Sequence, residues 1–462
     1  MNIFNPHSDK NIKMIKQPLP SLFKSVLFCF TGMAILTASC NTGTKPVSAG
    51  SEKSICETRE IFPLVTEHVH GSTIVELSNG DLLAAWFQGS GERWADDVCI
   101  KGSRLKNGKD ILSEPFVMAD VPGFPDINPA MFIDPRGKLW LTWYTVIANQ
   151  WSTSLLKYRI SENYMQDNGP PEWLWNDVIH VKPGDHAERG ILPDDRFVKS
   201  VERKVKEYTG YLTEQGASER LLELWQREGG YMLSKARGED MMREGVGYAY
   251  FQRMGWQTKN KAVFVGDRLI LPLYSDGFGF SLMAITDDYG KTWQFSEPLV
   301  GAGPIQPSIA VKKDGTLVAY MRDGGPPPDR LQFSISQDKG MSWSMVKDSE
   351  LPNPGSGADV VTLANGLWVM AYNDGKINRG RQSLAISISA NEGQSWDITR
   401  HLESDTRTDT ISVEGSYPSI IQGEDGSLHV IYSYHYMNRG NQPRETIKYA
   451  QINEAWIREG DK

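Results

Sequence analysis

A short phrase of apolar and polar positions recurs along the chain. Each copy begins with a glycine-containing turn and runs into an apolar strand that ends in aromatic residues. The copies are Asn79–Phe87, Arg136–Tyr144, Val265–Tyr274, Asp314–Tyr320, Asn365–Tyr372 and Asp425–Tyr432. A glycine turn followed by so apolar a strand predicts a β-hairpin whose strand does not face water on both sides.

The six turn glycines, at positions 80, 137, 266, 315, 366 and 426, are spaced like structural repeats. Successive gaps are 57, 129, 49, 51 and 60 residues. Four gaps match the length of one four-stranded blade, and the long gap equals a blade plus about 75 residues. The spacing predicts an all-β fold, a six-bladed β-propeller over residues 58–455.

The additional residues in the long gap have a helical pattern. Apolar residues recur at helical spacing after Asp195, with charged residues between them, and Asp194 and Asp195 are candidate caps. A second helix is expected through Leu221–Trp225, interrupted at Gly229-Gly230, and a third around Met241 and Met242. We therefore expect a helical insertion at about 190–255, which either packs against the propeller or forms a lid over a site.

A second motif, Ser/Thr-x-Asp/Asn-x-Gly-x-x-Trp, appears at Thr286–Trp293, Ser336–Trp343 and Ser389–Trp396. The acidic or amide side chain can cap local amides, glycine can adopt positive φ, and tryptophan can anchor the hairpin. The motif resembles the Asp-box of sialidases, and its three copies favour a sialidase-like propeller. These residues are expected to be structural.

The resemblance to sialidases implies a pocket at the propeller centre. In that family three arginines hold the substrate carboxylate, a Tyr–Glu pair supplies the nucleophile, and an aspartate is the acid/base. Arg322 and Arg381 match the second and third arginines, and Tyr417 matches the nucleophile. The resemblance thus implies an exo-acting glycoside hydrolase for an acidic glycan.

Two positions depart from the sialidase pattern. His70 stands where the first arginine belongs, and Gln306 stands where the glutamate that activates the tyrosine belongs. Glutamine cannot take a proton from a phenol, whereas histidine is a plausible proton-transfer group. Ulvan lyases and some α-L-rhamnosidases are similar propeller enzymes that rely on a histidine, so a His70-dependent lyase or rhamnosidase-like enzyme is the second hypothesis.

A third hypothesis is a non-catalytic glycan-binding surface lipoprotein, motivated by the same two departures. For an enzyme, the acid/base would come from the loop after the first blade's second strand, where Glu92, Asp96 and Asp97 are all candidates. Trp151 is expected to stack on a sugar. Weaker candidates are Asn128-Pro129, Trp143-Tyr144, Asn149-Gln150, Asn373-Asp374 and Tyr434-His435, with Asn373 taken as substrate-binding.

The N-terminal segment reads as a targeting signal. Lysines precede an apolar stretch, Val26–Leu36, that is too short to span a bilayer but suits a signal peptide. The small residues before Cys40 resemble a bacterial lipobox. We expect a signal peptide over 1–40, lipidation of Cys40, a polar tether over 41–57, and export to the periplasm, outer membrane or cell surface.

Composition narrows the classes of partner. A net charge of −8 argues against nucleic acid, whose binding needs clustered basic residues. No zinc-spaced His/Cys cluster, calcium loop or phosphate loop is evident, so no obligatory cofactor and no metal are expected. Cys56 and Cys99 could pair in an oxidising compartment. The expected partners are a glycan and, through the lipid anchor, a membrane; a monomer is expected.

Overall fold

The computed structural model describes residues 53–106, 112–185, 191–239, 254–375, 380–408 and 410–461. These residues fall in one compact unit, Ser51–Lys462. Among them no helix is long and apolar enough to cross a membrane.

Six four-stranded antiparallel sheets confirm the six-bladed propeller. The first strand of the chain is β1 (Cys56–Glu60). The first three blades are β2–β5 (His68–Glu76, Leu82–Gly89, Cys99–Leu105, Phe116–Ala119), β6–β9 (Asp126–Ile133, Leu139–Val146, Ser154–Ser161, Trp175–Val178) and β10–β13 (Val263–Val265, Arg268–Ser275, Phe280–Thr286, Gln294–Phe295). Each repeated glycine turn joins the first and second strands of a blade.

The remaining blades are β14–β17 (Pro304–Val311, Leu317–Asp323, Arg330–Ser336, Lys347–Pro352), β18–β21 (Asp359–Thr362, Trp368–Asn373, Leu384–Ser389, Ile398–Glu403) and β22–β24 (Ile411–Gln422, Leu428–Asn438, Arg444–Ile452). The sixth blade is completed by β1, which pairs with β24 from Cys56↔Ile452 to Glu60↔Lys448. The first and last strands of the propeller thus share one sheet, and this closes the ring.

The three Asp-box motifs form turns between the third and fourth strands of blades three to five. Thr292, Ser342 and Ser395 donate their amides to Asp288, Asp338 and Asn391 at 2.8, 2.9 and 2.9 Å. The motif glycines have φ of 88°, 88° and 81°, a conformation that L side chains rarely adopt. The local hydrogen bonds explain why the motif recurs, and they support its structural role.

Four inner strands carry a β-bulge at the same place. The bulged pairs are Gly71-Ser72 in β2, Asn128-Pro129 in β6, Gln306-Pro307 in β14 and Tyr417-Pro418 in β22. The first residue of each pair has φ of 64°, 47°, 55° and 53°, respectively. Bulges change the direction of side chains and are frequent next to active sites. At these four positions the chain therefore takes a course that a regular inner strand would not have.

The described part of the insertion forms two helices, α1 (Arg196–Glu214) and α2 (Glu219–Arg237). The expected interruption at Gly229-Gly230 is wrong, because α2 continues through both glycines. A Cβ on Gly229 would lie 2.9 Å from Val205 Cγ1, so this glycine allows α1 and α2 to approach closely. The segment around Met241 and Met242 lies outside the described residues.

The helices pack against blade three. Phe197, Val201 and Tyr208 of α1 belong to the same buried cluster as Leu271 and Phe280 of the blade. Asp195 occupies the N-cap position, but its carboxylate accepts hydrogen bonds from the amides of Leu192 and Asp185 rather than from α1. The insertion is therefore anchored to the propeller by an apolar face.

A short helix, α3 (Glu454–Arg458), follows β24 and packs on blade five through buried Trp456 and Ile457.

The two cysteines of the propeller are both free thiols, Cys56 exposed and Cys99 buried. The pairing considered from the sequence is not formed.

Candidate active site

Tyr417 stands at the centre of the residues that the sequence singled out. Its hydroxyl oxygen accepts hydrogen bonds from Arg322 Nη1 at 2.7 Å and from Gln306 Nε2 at 3.0 Å. The guanidinium carbon of Arg381 lies 5.1 Å from the centroid of the Tyr417 ring. The fold thus brings together residues from β14, β15, β22 and the loop before β20.

The imidazole of His70 lies beside the same tyrosine, with 4.1 Å between the two ring centroids. His70 is buried, and its Nδ1 has no hydrogen-bond partner among the described residues. Burial, together with the positive charges of neighbouring groups such as His435 and Arg381, lowers the pKa of His70 well below its ordinary value. The imidazole is therefore neutral at pH 7 and can accept a proton.

Two more histidines and a carboxylate complete this side of the site. Glu445 accepts from the amide of Val69 at 2.7 Å and lies 3.1 Å from His68 Nδ1 and 3.4 Å from His435 Nδ1. Burial disfavours a charged His68, but Glu445 outweighs it and raises the pKa of His68, whereas burial lowers the pKa of His435.

His68 and Glu445 were missed by the sequence analysis. His68 could have been found from the sequence. It lies two residues before His70 in the same strand, and residues two apart in a strand share a face.

Within the described part of the chain, no three or more His, Cys, Asp and Glu side chains are arranged to hold a metal ion.

The carboxyl candidates divide into two groups. Glu92 is half-buried, and burial raises its pKa although His68, Arg93 and Arg381 lower it. Asp96 and Asp97 are exposed. Asp97 accepts hydrogen bonds from Ser90, which lower its pKa. Glu92 interacts electrostatically with His68 and Arg381 of the site.

Asp276 is a site carboxylate that the sequence analysis missed. Its side chain is accessible to solvent but lines a cavity. The surrounding protein replaces part of its hydration and raises its pKa, while the charges of Arg322 and Arg93 act in the opposite direction. The repeats themselves could have indicated Asp276. It follows the strand-end residue Tyr274 by two positions, just as Arg322 follows the strand-end residue Tyr320 in the next repeat.

Asn373 ends β19 and contacts the loop that carries Arg381. It is fully buried, and its Nδ2 donates to the carbonyl oxygens of Arg381, Ser383 and Gly415 at 3.3, 2.7 and 2.7 Å. It therefore holds the loop that carries Arg381, and the substrate-binding role expected from its strand-end position stays a prediction. A strand-end position shows where a residue lies, but tertiary packing decides which side it faces.

Trp151 lies at the margin of the site, in a short 3₁₀ turn after β7. Its ring is half-buried and contacts Arg93, whose guanidinium carbon is 5.1 Å from the ring centroid. Stacking of Trp151 on a sugar stays a prediction.

Asn128 is buried, and its Nδ2 donates to the hydroxyls of Tyr144 and Tyr274 at 3.0 and 3.3 Å.

A polar hub beneath Tyr417 was also missed. Lys259 Nζ donates to the Pro418 carbonyl at 2.5 Å and to Asn260 Oδ1 at 2.9 Å, and Asn260 Nδ2 donates to the Pro307 carbonyl at 3.0 Å. Burial lowers the pKa of Lys259 to about 8. The hub ties the bulges of Gln306 and Tyr417 to blade three, and no repeat or motif marks it in the sequence.

The six four-stranded sheets, the Asp-box turns and this central cluster define a class of fold: the chain is a six-bladed β-propeller. Residues 250–430 match the BNR repeat-like domain family. None of the curated protein sequences matches the chain.

The solved structures that resemble the chain are distant in sequence. A protein of unknown function from Dyadobacter fermentans is 12% identical, with a TM-score of 0.58 over 87% of this chain and 98% of that one. The intramolecular trans-sialidase of Ruminococcus gnavus is 11% identical, with a TM-score of 0.55 over 85% and 95%. The NanB sialidase of Streptococcus pneumoniae is 11% identical, with a TM-score of 0.56 over 84% and 69%. At this identity the likeness shows the fold.

Proposed function

We propose that the protein is an exo-acting glycoside hydrolase for an acidic glycan, one that carries a sialic or uronic acid. The observation that carries the proposal is the position of the Tyr417 oxygen between two donors, Arg322 and Gln306. Both contacts stabilise negative charge on that oxygen. A tyrosine held in this way is suited to attack an anomeric carbon even though Gln306 cannot act as its base.

The same residues suit an acidic sugar. Arg322 uses Nη1 for Tyr417, while its buried Nε has no hydrogen-bond partner among the described residues. A buried donor without a partner is costly, and an anionic ligand would satisfy it. Burial opposes the charge of Arg322, but Tyr417 and Asp276 outweigh it and raise its pKa. Arg381 supplies a second cation near the tyrosine ring, with its guanidinium carbon 5.1 Å from the ring centroid.

Glu92 is the proposed general acid. Burial raises its pKa, which favours the protonated form that can donate to the leaving oxygen. In the proposed reaction, the neutral imidazole of His70 takes the phenolic proton of Tyr417 while the Tyr417 oxygen forms a bond to the anomeric carbon. In the same step the glycosidic bond breaks and Glu92 protonates the departing oxygen. The resulting Glu92 carboxylate then takes a proton from a water molecule as its oxygen attacks the anomeric carbon and releases the acidic sugar, and Tyr417 recovers its proton from His70.

A second candidate is a His70-dependent lyase or rhamnosidase-like enzyme acting on a uronate-containing glycan. It is favoured by one observation: His70 is a neutral, buried imidazole beside Tyr417, and its Nδ1 has no hydrogen-bond partner within the described ranges of the chain. A neutral histidine could remove the proton next to a carboxylate that Arg322 and Arg381 neutralise, with Tyr417 protonating the leaving oxygen. Such a lyase would release an unsaturated uronate.

The experiment is an incubation of the chain from residue 41 with sialylated and uronate-containing glycans, followed by identification of the products. We expect release of an intact acidic sugar. An unsaturated uronate, or rhamnose, that is lost in His70→Ala would favour the second candidate. Saturable binding without any product would instead indicate a glycan-binding protein and overturn both enzymatic proposals.

Arg322→Ala tests the recognition step in the same assay. We expect affinity for the acidic sugar to fall by about 30-fold or more, because a buried charged partner is removed. Arg330→Ala is the matched control, since Arg330 is an exposed arginine of the same blade and should leave affinity unchanged. Unchanged affinity in Arg322→Ala, with an unchanged circular dichroism spectrum, would contradict the proposed role.

A further inference from the structure

A cavity of about 440 Å³ lies between α2 and the loops of blades three and four. Leu224, Trp225 and Met232 of α2 line it from one side. Asp276, Ile305 of β14 and the loop residues Gly303, Gly324, Gly325 and Pro326 line it from the propeller side. We call this cavity the α2 cleft. It owes one wall to the insertion, so the six blades alone would not form it.

The α2 cleft adjoins the residues around Tyr417. Asp276 lines the cleft and also interacts electrostatically with Arg322. Gly324 and Gly325, in the floor of the cleft, follow Arg322-Asp323 directly in the chain. A ligand whose anionic group is held by Arg322 would therefore have its continuation next to the cleft.

The chemistry of the cleft favours an uncharged sugar. Leu224, Ile305, Met232 and Pro326 offer apolar surface of the kind that packs against the C–H face of a sugar ring. Asp276 offers carboxylate oxygens that accept hydrogen bonds from hydroxyl groups. The basic group Arg227 is already close to Glu228, with 3.5 Å between Nε and Oε1. A second acidic sugar would meet Asp276 without an unengaged cation among these lining residues.

We infer that the α2 cleft is the subsite for the neutral sugar linked to the acidic sugar of the substrate. The inference rests on the proposed function, because it takes the acidic sugar to bind at Arg322. It gives the insertion a role in specificity: the protein distinguishes substrates by the second sugar as well as by the terminal one. It also assigns Asp276 to hydroxyl recognition in the subsite.

The test uses Tyr417→Phe protein, which should bind without turnover, and calorimetric titration with three probes: N-acetylneuraminic acid, 3′-sialyllactose and α2,8-linked disialic acid. Glucuronic acid, glucuronosyl-rhamnose and diglucuronic acid form the parallel uronate set. In the set that binds, we expect the probe with a neutral second sugar to bind about tenfold more tightly than the monosaccharide. The probe with two acidic sugars should gain no such advantage.

Leu224→Trp, made in the same background, fills the cleft. We expect it to abolish the advantage of the neutral second sugar and to leave monosaccharide affinity within about twofold. Gln226→Trp is the matched control, because Gln226 is exposed on the same helix and does not line the cleft. Thermal unfolding of both variants establishes that α2 is still folded.

The outcomes separate the two proposals. Equal affinity for monosaccharide and disaccharide, or loss of affinity for both in Leu224→Trp, overturns the subsite and leaves the proposed function standing. Absence of binding to every probe in both sets overturns the proposed function and the subsite together.

Discussion

At the scale of single residues, the site is built on strained backbone. Asn128, Gln306 and Tyr417 each have positive φ and each precede a proline. Such conformations cost about 1–3 kcal/mol each and persist only where surrounding contacts hold them. Lys259 and Asn260 supply contacts of this kind at the Gln306 and Tyr417 bulges. The same bulge therefore presents different chemical groups from different blades.

His401 shows how one titratable residue holds the Arg381 loop. Its Nε2 lies 2.9 Å from Asp374 Oδ2, and its Nδ1 contacts Asp461. Asp374 also accepts a hydrogen bond from Ser383 at 2.6 Å, two residues after Arg381. The hydrogen bond to Asp374, more than that to Asp461, raises the pKa of His401 to about 9, despite the opposing effect of burial. The clamp joins the C-terminal residues to the loop that carries Arg381.

This clamp predicts a pH-dependent contribution to stability. Because the folded-state pKa is raised, the contribution is complete below about pH 6.5 and is lost as the pH rises through about 9. We expect wild type to lose about 2 kcal/mol more unfolding free energy than His401→Leu between pH 6 and pH 9.5. Urea denaturation at both pH values measures it. An equal loss in the two proteins would show that His401 does not contribute.

At the scale of elements, two neighbouring glycines of α2, Gly229 and Gly230, have different surroundings. Gly229 is buried, and a Cβ there would lie 2.9 Å from Val205 Cγ1, whereas Gly230 is exposed with nothing within 4 Å of a Cβ. The intrinsic helix propensity of glycine is the same at both positions. The packing of α1 on α2 differs, because α1 contacts Gly229 and leaves Gly230 exposed.

The two alanine substitutions should therefore have opposite effects. Gly230→Ala should stabilise the protein by about 0.5–1 kcal/mol through helix propensity. Gly229→Ala should destabilise it by about 1 kcal/mol or more, because α1 and α2 must move apart. Equilibrium denaturation in urea measures both. Stabilisation by both substitutions would mean that the close approach at Gly229 is not a constraint.

At the scale of the whole molecule, the propeller is closed by pairing of its first strand, β1, with its last strand, β24. β1 begins at Cys56, two residues before the start at 58 that the repeat spacing predicts, and α3 extends past the predicted end at 455. Cys40 lies outside the described residues. We propose that the protein is exported and acylated at Cys40, so that the segment after Cys40 tethers the propeller to a membrane.

The anchor can be tested in a bacterial host grown with an alkyne-labelled palmitate. We expect the wild-type protein to carry the label and to sediment with the membranes, since lipidation supplies the attachment. Cys40→Ala should lose the label. Cys56→Ala is the matched control, because Cys56 is an exposed free thiol of β1, and it should keep the label. Persistent labelling of Cys40→Ala would exclude Cys40 as the acylated residue.

The sequence by itself determined the blade count, the three Asp-box turns and the two described helices, because each depends on local information. A turn glycine, an Asp-to-amide hydrogen bond and a helical period all lie within a few residues of one another. The resemblance to sialidases also identified Tyr417, Gln306, Arg322, Arg381 and His70 as a set.

Only the tertiary structure decided which side chains meet. Tyr417 contacts Gln306, which is 111 positions away in the sequence, and Arg322, which is 95 positions away. Only the folded propeller brings such distant residues together. The tertiary structure also showed that Asn373 faces the interior, that Asp276 and Lys259 join the site, and that Gly229 lies where α2 contacts α1. Packing between elements, which no local pattern encodes, decides these facts.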